Sequence, residues 1–174
     1  MKRAALFACL TALTTPAFAQ APAVTGGPIT NQAERDDISA RVRAGAACVN
    51  CDLFQIDLSY QAIAGRDFSG ARIRQADLSL ATADGARFRG ANLSLTNLFG
   101  ARLSGADLSD ANLDHATLVG AYLGGARISG AVLDGANLSG AELAGTIGLT
   151  QTQLNTACGD ATTTLPVGLT IRAC

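Results

Sequence analysis

The sequence predicts an all-β solenoid, in which the chain winds around a narrow core and turns a corner once in every five residues. A large apolar residue recurs every five residues from Leu53 to Leu143, and it is Leu, Ile or Phe everywhere except Ala83. An alanine lies two residues before most of these positions, from Ala71 to Ala141. A glycine often precedes that alanine, where a corner needs unusual backbone angles.

Neither regular secondary structure places this pattern on one face. On an α-helix, steps of five residues rotate by about 140°, so the large residues would spiral over every side. On a flat strand, an odd period would send alternate large residues to opposite faces. A chain that turns once per repeat brings the large residues and the alanines inside, where they fill a narrow core together.

The repeats resemble those of the pentapeptide-repeat family, whose motif is written A-[D/N]-L-x-x. Matching repeats include residues 76–80 (ADLSL), 91–95 (ANLSL), 106–110 (ADLSD) and 136–140 (ANLSG), and the resemblance covers residues 51–145. It implies a right-handed square β-helix with four repeats per coil, and therefore about five coils in this chain. Positions twenty residues apart should then stack at the spacing of paired strands, about 4.8 Å.

Two columns of residues are expected from this stacking. Inside the solenoid, Phe68 and Phe88 should lie one coil apart and stack. Outside, the charges alternate at a step of twenty residues along Asp67, Arg87, Asp107 and Arg127. Exposed ion pairs contribute only about 0–1 kcal/mol each, so we interpret this column as a mark of register rather than as a binding site.

The N-terminal end of the sequence predicts export. In residues 1–19, Lys2 and Arg3 precede an apolar stretch, and residues 17–19 (AFA) supply a small-x-small cleavage pattern, as in a secretory signal peptide. We expect cleavage after Ala19, a periplasmic location and no membrane insertion of the mature chain. Residues 20–30 are rich in Ala, Pro and Gly and predict a flexible leader.

Residues 31–47 predict an N-terminal helical cap. Asn31 is placed to begin a short amphipathic helix, with Ile38 and Val42 facing inward. Such a helix would cover the apolar end of the first coil, which a solenoid otherwise exposes. Arg66, in that first coil, stands where most repeats have alanine, and we expect its side chain to reach outside to solvent.

The β-helix itself is predicted to span residues 48–148, and residues 149–174 predict a C-terminal cap. Thr150 is placed to begin a helix that runs through Ala157. An extended arm that carries Leu165 and Leu169 then follows and is expected to cover the last rung.

Four cysteines lie behind the signal peptide, and an even number in an exported chain predicts disulfides. The two ends of the solenoid are about 20 Å or more apart, too far for one bridge. We therefore pair Cys158 with Cys174, which would staple the C-terminal cap. Cys48 with Cys51 is predicted as a structural disulfide, with a buried thiol pair and a redox-active C-x-x-C pair as alternatives.

The sequence predicts no enzyme. The single histidine, His115, lies beside Asp114 on an outer corner, and the serines are spread along the repeats instead of converging on it. The glycines recur at intervals of five residues and form no phosphate loop. With 13 basic and 14 acidic residues, there is no basic stripe for nucleic acid. We expect no catalytic residue, metal site, cofactor or nucleic-acid partner.

One outer wall of the predicted solenoid is apolar. With four repeats per coil, Tyr60 lies beneath Leu80 and Phe99 beneath Val119 on the same wall, and Tyr122 lies around the next corner. Most other outward positions are Ser, Gly, Asp, Asn or Arg. A contiguous apolar strip can mark a contact surface, although scattered exposed apolar residues are also normal. We predict an interface here for an unidentified protein partner or for a homodimer.

Three functions are therefore compared. The first is an exported, non-enzymatic module, a rigid rod that binds protein or has a structural role. The resemblance implies a second, because some pentapeptide-repeat proteins mimic duplex DNA and bind gyrase; the predicted export and the arginines Arg72, Arg74 and Arg87 on the wall argue against it. The third is a redox protein that uses Cys48 and Cys51.

Overall fold

A computed structural model describes residues 31–174, and the predicted signal peptide and leader lie outside these residues. Two α-helices occur in the described part of the chain: α1 spans Gln32–Arg43 and α2 spans Gln151–Leu154. Between them the chain runs through single-residue β-bridges separated by two-residue turns, with a period of five residues. The corner in each repeat leaves no room for a longer strand.

Within the repeats, each bridge is parallel and joins residues twenty apart. The series begins at Asp52–Arg72 and continues without a break to Arg127–Ile147. The backbone bonds alternate in direction, as at Tyr122, whose N–H donates to the Ala101 carbonyl at 2.9 Å and whose carbonyl accepts from Leu103 at 2.8 Å. Since four repeats separate bridged residues, each coil has four sides, and each coil pairs with the coils before and after it.

The interior is packed with the two residues that the period brings inward. The large apolar residues and the alanines of the repeats are buried in one continuous core. Phe68 and Phe88 stack with their ring centroids 5.2 Å apart and their planes 8° from parallel, as the sequence predicts. Thr96 replaces an alanine and is 1% exposed; its hydroxyl donates to the Ile73 carbonyl at 2.9 Å, which satisfies a polar group inside an apolar core.

The outer charge column also forms. Asp67, Arg87, Asp107 and Arg127 are joined by successive bridges. The side chains of Asp67 and Arg87 approach to 3.9 Å, and both are partly exposed. Their position on the outside, one per coil, agrees with their interpretation as marks of register.

Helix α1 packs against the first coil. The side chain of Asn31 accepts a hydrogen bond from the Glu34 N–H at 2.9 Å, which makes it the N-cap, and Ile38 and Val42 are buried in the core. On the coil side, the carbonyl of Asp57 accepts a hydrogen bond of 2.9 Å from Arg43. The helix therefore supplies both apolar cover and donors to backbone oxygens at the open edge of the coil.

The expectation that Arg66 reaches solvent is wrong. Its guanidinium is half-buried and donates to the carbonyl of Val42, in the last turn of α1. Burial lowers the pKa of Arg66 below its usual value. A cation at the C-terminal end of a helix meets the negative end of the helix dipole, which explains why this side chain turns toward α1 rather than outward.

The C-terminal helix is shorter than the sequence predicts, since α2 ends at Leu154 rather than at Ala157. The physical reason is that the chain returns to the solenoid at once: the Gly135 N–H donates to the Thr156 carbonyl at 2.9 Å, and the Leu138 N–H to the Cys158 carbonyl at 2.7 Å. Residues 156–158 therefore pair with the preceding coil, with a bridge between Asn137 and Cys158, and do not continue the helix.

The remaining residues run across the last coil. Thr164 pairs with Glu142, and Ala173 pairs with Gly159. Leu165, Leu169 and Ile171 are partly buried against the core. The C-terminal arm therefore contributes apolar contacts to this end of the solenoid.

Candidate functional site

Four apolar residues predicted to form one strip lie along one corner of the solenoid. Tyr60, Leu80, Phe99 and Val119 all occupy two-residue turns at the same corner, at residues 59–60, 79–80, 99–100 and 119–120. We call these four residues the apolar corner. They lie on an edge and not on a flat wall, which corrects the placement predicted from the sequence.

Backbone hydrogen bonds hold the successive turns in register. The Tyr60 N–H donates to the Ser79 carbonyl at 2.9 Å, and the Leu80 N–H donates to the Phe99 carbonyl at 2.8 Å. The Gly100 N–H donates to the Val119 carbonyl, also at 2.8 Å. The backbone hydrogen bonds that stack the coils therefore also position this corner, and its side chains lie on four consecutive coils.

The side chains of the apolar corner are open to solvent to different degrees. Tyr60 is 74% exposed, Leu80 42% and Phe99 49%, whereas Val119 is half-buried. A Cβ atom added to Gly100 would come within 2.7 Å of Leu80 Cδ2, so the Leu80 side chain lies over that glycine. Leu80 therefore covers the residue that follows Phe99 in the next coil.

Two of the four residues hold an unfavourable backbone conformation. Tyr60 and Leu80 have φ angles of 58° and 57°, in the left-handed region that favours glycine. The next coils have Gly100 and Gly120 at the same place in the turn, with φ angles of 60° and 65°. Large apolar side chains therefore stand where glycine would fit without strain, but this conformation belongs to the turn of the repeat, since Gln55, Gln75 and Leu95 hold it as well.

The two sides that meet at this corner are polar and differ from each other. The Asn97 side has outward residues 57, 77, 97 and 117, and the Tyr122 side has outward residues 62, 82, 102 and 122. On the first, Asn97 donates to Asp77 at 3.1 Å. On the second, Tyr122 is 51% exposed and Arg102 pairs with Asp84 at 2.9 Å. Tyr122 therefore adds an exposed aromatic side chain on the side next to the corner.

The carboxylate nearest the base of the corner is held in its charged form. The hydroxyl of Ser59 donates to Asp57 at 2.7 Å, and the backbone N–H of Ser59 donates to the same oxygen at 2.9 Å. These two bonds stabilise the anion and lower the pKa of Asp57 below its usual value. The Asn97 side thus presents a permanent negative charge near Tyr60 at neutral pH.

Both pairs of cysteines are joined in the structure. Cys48 and Cys51 form one disulfide, and Cys158 and Cys174 form the other. Cys48 and Cys51 are buried, at 0% and 1% exposure, under the N-terminal part of the solenoid. Cys174 is exposed, so the two disulfides differ in their access to solvent. A buried pair is poorly placed for exchange with a dissolved thiol.

Within residues 31–174, no group of three or more His, Cys, Asp or Glu residues is arranged to hold a metal ion. His115 is exposed, and its Nδ1 lies 2.7 Å from an oxygen of Asp114. No serine joins this pair in the hydrogen bonds of the described residues, so the arrangement contains no nucleophile next to a base. In the same residues, no helix has the length and apolar character needed to cross a membrane.

Sequence reasoning missed some exposed apolar residues. Leu95, Val132 and Ile147 are 43%, 42% and 49% exposed, but each is on a different side or corner from the apolar corner. It also missed Phe54, whose ring lies 4.8 Å from the Arg72 guanidinium carbon. The signal was available, since a step of twenty residues from Asp52 reaches Arg72 and brings it over the neighbouring turn.

A solenoid with four sides, five-residue repeats and a filled core defines a class of repeat protein that presents surfaces and edges instead of a substrate cleft. The family model described as pentapeptide repeats (8 copies) matches residues 67–98, 91–130, 111–147 and 121–156, which together cover more than half of the chain. This chain belongs to the pentapeptide-repeat family. Its fold is the right-handed quadrilateral β-helix of that family.

Solved structures agree with this assignment. The chain is similar to a pentapeptide repeat protein from the thylakoid lumen of Arabidopsis thaliana, with 30% identity and a TM-score of 0.61 over 80% of this chain and 89% of that one. It also matches the pentapeptide repeat protein Rfr23 from the cyanobacterium Cyanothece 51142, with 28% identity and a TM-score of 0.35 over 68% and 90% of the two chains.

A third match is QnrB1, a plasmid-mediated fluoroquinolone resistance protein, with 21% identity and a TM-score of 0.34 over 64% of this chain and 69% of that one. The comparison with curated proteins found no match.

Proposed function

We propose that this protein is an exported, non-enzymatic rod that binds another protein through the apolar corner. In this proposal, a β-helix of about five coils is the rigid part, α1 closes one end, and α2 with the C-terminal arm closes the other. The signal peptide delivers it to the periplasm, where disulfides persist. Family membership supports a binding or structural role, because pentapeptide-repeat proteins are generally not enzymes.

The observation that carries the proposal is the apolar corner itself. Tyr60, Leu80 and Phe99 are large, exposed and aligned on consecutive coils, where most outward residues are polar. Aromatic residues are enriched where proteins bind each other, since they bury a large area at a small loss of side-chain entropy.

Two observations support export. The disulfides of the structure are compatible with an oxidising compartment. The similar structure from Arabidopsis thaliana is a protein of the thylakoid lumen, which is likewise a compartment enclosed by a membrane. Fractionation of cells that express the full chain tests this part, together with the N-terminal sequence of the secreted form. We expect a periplasmic protein that begins at Gln20, and a cytoplasmic protein that retains Met1 would overturn it.

The binding function is tested by crosslinking in cells. A photo-reactive phenylalanine analogue replaces Phe99 in one variant and Ser129 in the other. Ser129 occupies the equivalent place in a turn on a different corner and is exposed, so it is the matched control. We expect a discrete crosslinked product at position 99 and none at position 129. Products at both positions, or at neither, would overturn the proposal that the corner is a specific interface.

A further inference from the structure

We infer that the partner of the apolar corner is a second copy of this chain, packed side by side with its rod antiparallel. This inference rests on the proposed function, since it names the occupant of the same surface. The order of side-chain sizes along the corner and the charges that flank the corner support this arrangement.

The four side chains are distributed across both edges of the corner. Tyr60 and Leu80 are the second residues of their turns, nearer the Tyr122 side, whereas Phe99 and Val119 are the first residues of theirs, nearer the Asn97 side. A two-fold axis perpendicular to the rods keeps like sides together and reverses the order of the coils. At each level, an apolar residue near the Tyr122 side of one copy then lies next to an apolar residue near the Asn97 side of the other copy. The two side chains are therefore offset and do not meet head-on.

The sizes of the facing side chains are complementary in the antiparallel arrangement. In the antiparallel arrangement Tyr60 meets Val119 of the second copy, and Leu80 meets Phe99, so every level of the contact holds one larger and one smaller apolar side chain. The tip of Tyr60 faces Gly120 of the second copy, and no atom lies within 4 Å of the place where a Cβ would stand on that glycine. The open notch at Gly120 therefore has the position needed to receive the most exposed aromatic ring.

A parallel pair fits less well. It would place Tyr60 beside Tyr60 at one end and Val119 beside Val119 at the other, so the gap between two straight rods would be wide at one end and narrow at the other. Close packing along the whole contact requires a gap of even width. The sizes of the four side chains thus favour the antiparallel arrangement.

The flanking polar residues permit the antiparallel arrangement. On the Asn97 side, Asp57 faces Thr117 of the second copy and Asp77 faces Asn97, so each carboxylate meets a neutral residue that can donate a hydrogen bond. On the Tyr122 side, Ala62 faces Tyr122, which again sets a small residue against a large one. No two like charges face each other at these levels, so electrostatics do not oppose the contact.

The size of the surface predicts a weak dimer. Four coils at the strand spacing of about 4.8 Å give an apolar strip only ~15–20 Å long. A strip of that length along an edge buries less area than the ~800 Å² per partner of a standard stable interface. We therefore expect association in the range of about 10 µM or weaker, which mass action in a crowded compartment can populate.

Sedimentation velocity of the purified, disulfide-intact protein over about 1–200 µM tests the dimer. We expect the wild type to shift from monomer to dimer in this range, and Leu80→Gly to remain monomeric. The control is Leu95→Gly, because Leu95 is also exposed, also apolar and also left-handed, with a φ of 58°, but lies on another corner. It should dimerise like the wild type. A wild type that stays monomeric at every concentration would overturn the inference.

The orientation is tested by mapping the photo-crosslink of the Phe99 variant by mass spectrometry on the purified protein. The antiparallel dimer predicts attachment near Ser79 and Leu80 of the second copy. Attachment near residues 99–100 would indicate a parallel dimer and would overturn the inference. In cells, a product with the mass of a foreign protein would leave the proposed function standing while it removed the second copy as the partner. No specific product in cells, with a monomer in solution, would overturn both.

Discussion

The left-handed turn at Tyr60 leads to a prediction that reverses the usual order of alanine and glycine. At most positions glycine is less stable than alanine by about 0.5–1 kcal/mol, because it loses more backbone freedom on folding. At Tyr60, with a φ of 58°, an L-residue is strained by about 1–2 kcal/mol, and glycine is not. We therefore expect Tyr60→Gly to be about 0.5–1 kcal/mol more stable than Tyr60→Ala.

The comparison with the wild type follows from burial. Tyr60 is 74% exposed, so about a quarter of its side chain is buried, and its loss removes about 0.5 kcal/mol of apolar burial. Relief of strain offsets this loss in Tyr60→Gly, which should match or slightly exceed the wild type. Tyr60→Ala keeps the strain and loses the burial, so it should fall below the wild type by about 0.5 kcal/mol.

The assay is denaturation by guanidinium, followed by circular dichroism, with the disulfides intact. A difference of about 1 kcal/mol would also move the melting temperature by about 2–4 °C in a chain of this size. The matched control is Ala62→Gly, on the next side of the same coil, where the residue has no left-handed backbone. At position 62 the glycine variant should be less stable than the wild type, which has alanine. If alanine is more stable than glycine at position 60 as well, the reasoning from backbone strain is refuted.

The structure makes four further predictions. Arg66→Ala should remove a charged hydrogen bond worth about 1.5–3 kcal/mol and expose the amides of α1 to hydrogen exchange before those of the β-helix; equal exchange in both regions would contradict this. Thr96→Ala should change stability by less than about 1 kcal/mol, because the Ile73 carbonyl keeps its bond from the Ala76 N–H, and a loss above about 2 kcal/mol in chemical denaturation would refute it. Phe68→Ala and Phe88→Ala should each cost about 3–5 kcal/mol, with a coupling of about 0.5–1.5 kcal/mol in a double-mutant cycle, whereas additive losses would argue against the stack. Because the folded pKa of Asp57 is lowered, its stabilising contribution is complete above the unfolded pKa of about 3.9 and is lost as the pH falls through the folded pKa. Ser59→Ala removes the hydroxyl donor and should weaken this pH dependence in acid titrations of stability. An unchanged profile would refute the assignment.

The sequence predicts the repeating part of this fold well because the period of five residues is strict. From Asp52–Arg72 to Arg127–Ile147 the successive bridges join residues twenty apart, so this step of twenty residues decides which side chains stack. The stack of Phe68 on Phe88 and the charge column both follow from it. No knowledge of the backbone beyond the step is needed for these contacts.

The ends are harder to predict because the step changes there. Asn137 pairs with Cys158 and Glu142 with Thr164, at separations of 21 and 22 residues. The turn signals of α2 were visible at Thr150, but the return of residues 156–158 to the ladder was not, and it is this return that ends the helix. The direction of Arg66 was missed for a similar reason, since its partner is a carbonyl of α1 that the repeat does not specify.

The sequence predicts only part of the candidate site. The identities of the exposed apolar residues follow from the period, but their placement on an edge depends on which two residues of each repeat make the turn. The motif alone does not separate the flat side from the corner. That distinction matters for binding, because an edge contacts a partner along a line.

The strict ladder also constrains how the gene for this protein can change in length. An insertion of five residues within the β-helix would keep every large apolar residue inside, yet it would turn all later repeats by a quarter of the rod's circumference. Placed between Leu80 and Phe99, it would carry Phe99 and Val119 to a different corner from Tyr60 and leave the core intact. An insertion of twenty residues would only lengthen the rod by one coil, about 4.8 Å. An extra coil before Tyr60 or after Val119 is therefore neutral for this surface, whereas a single extra repeat between Leu80 and Phe99 dismantles it without unfolding the protein.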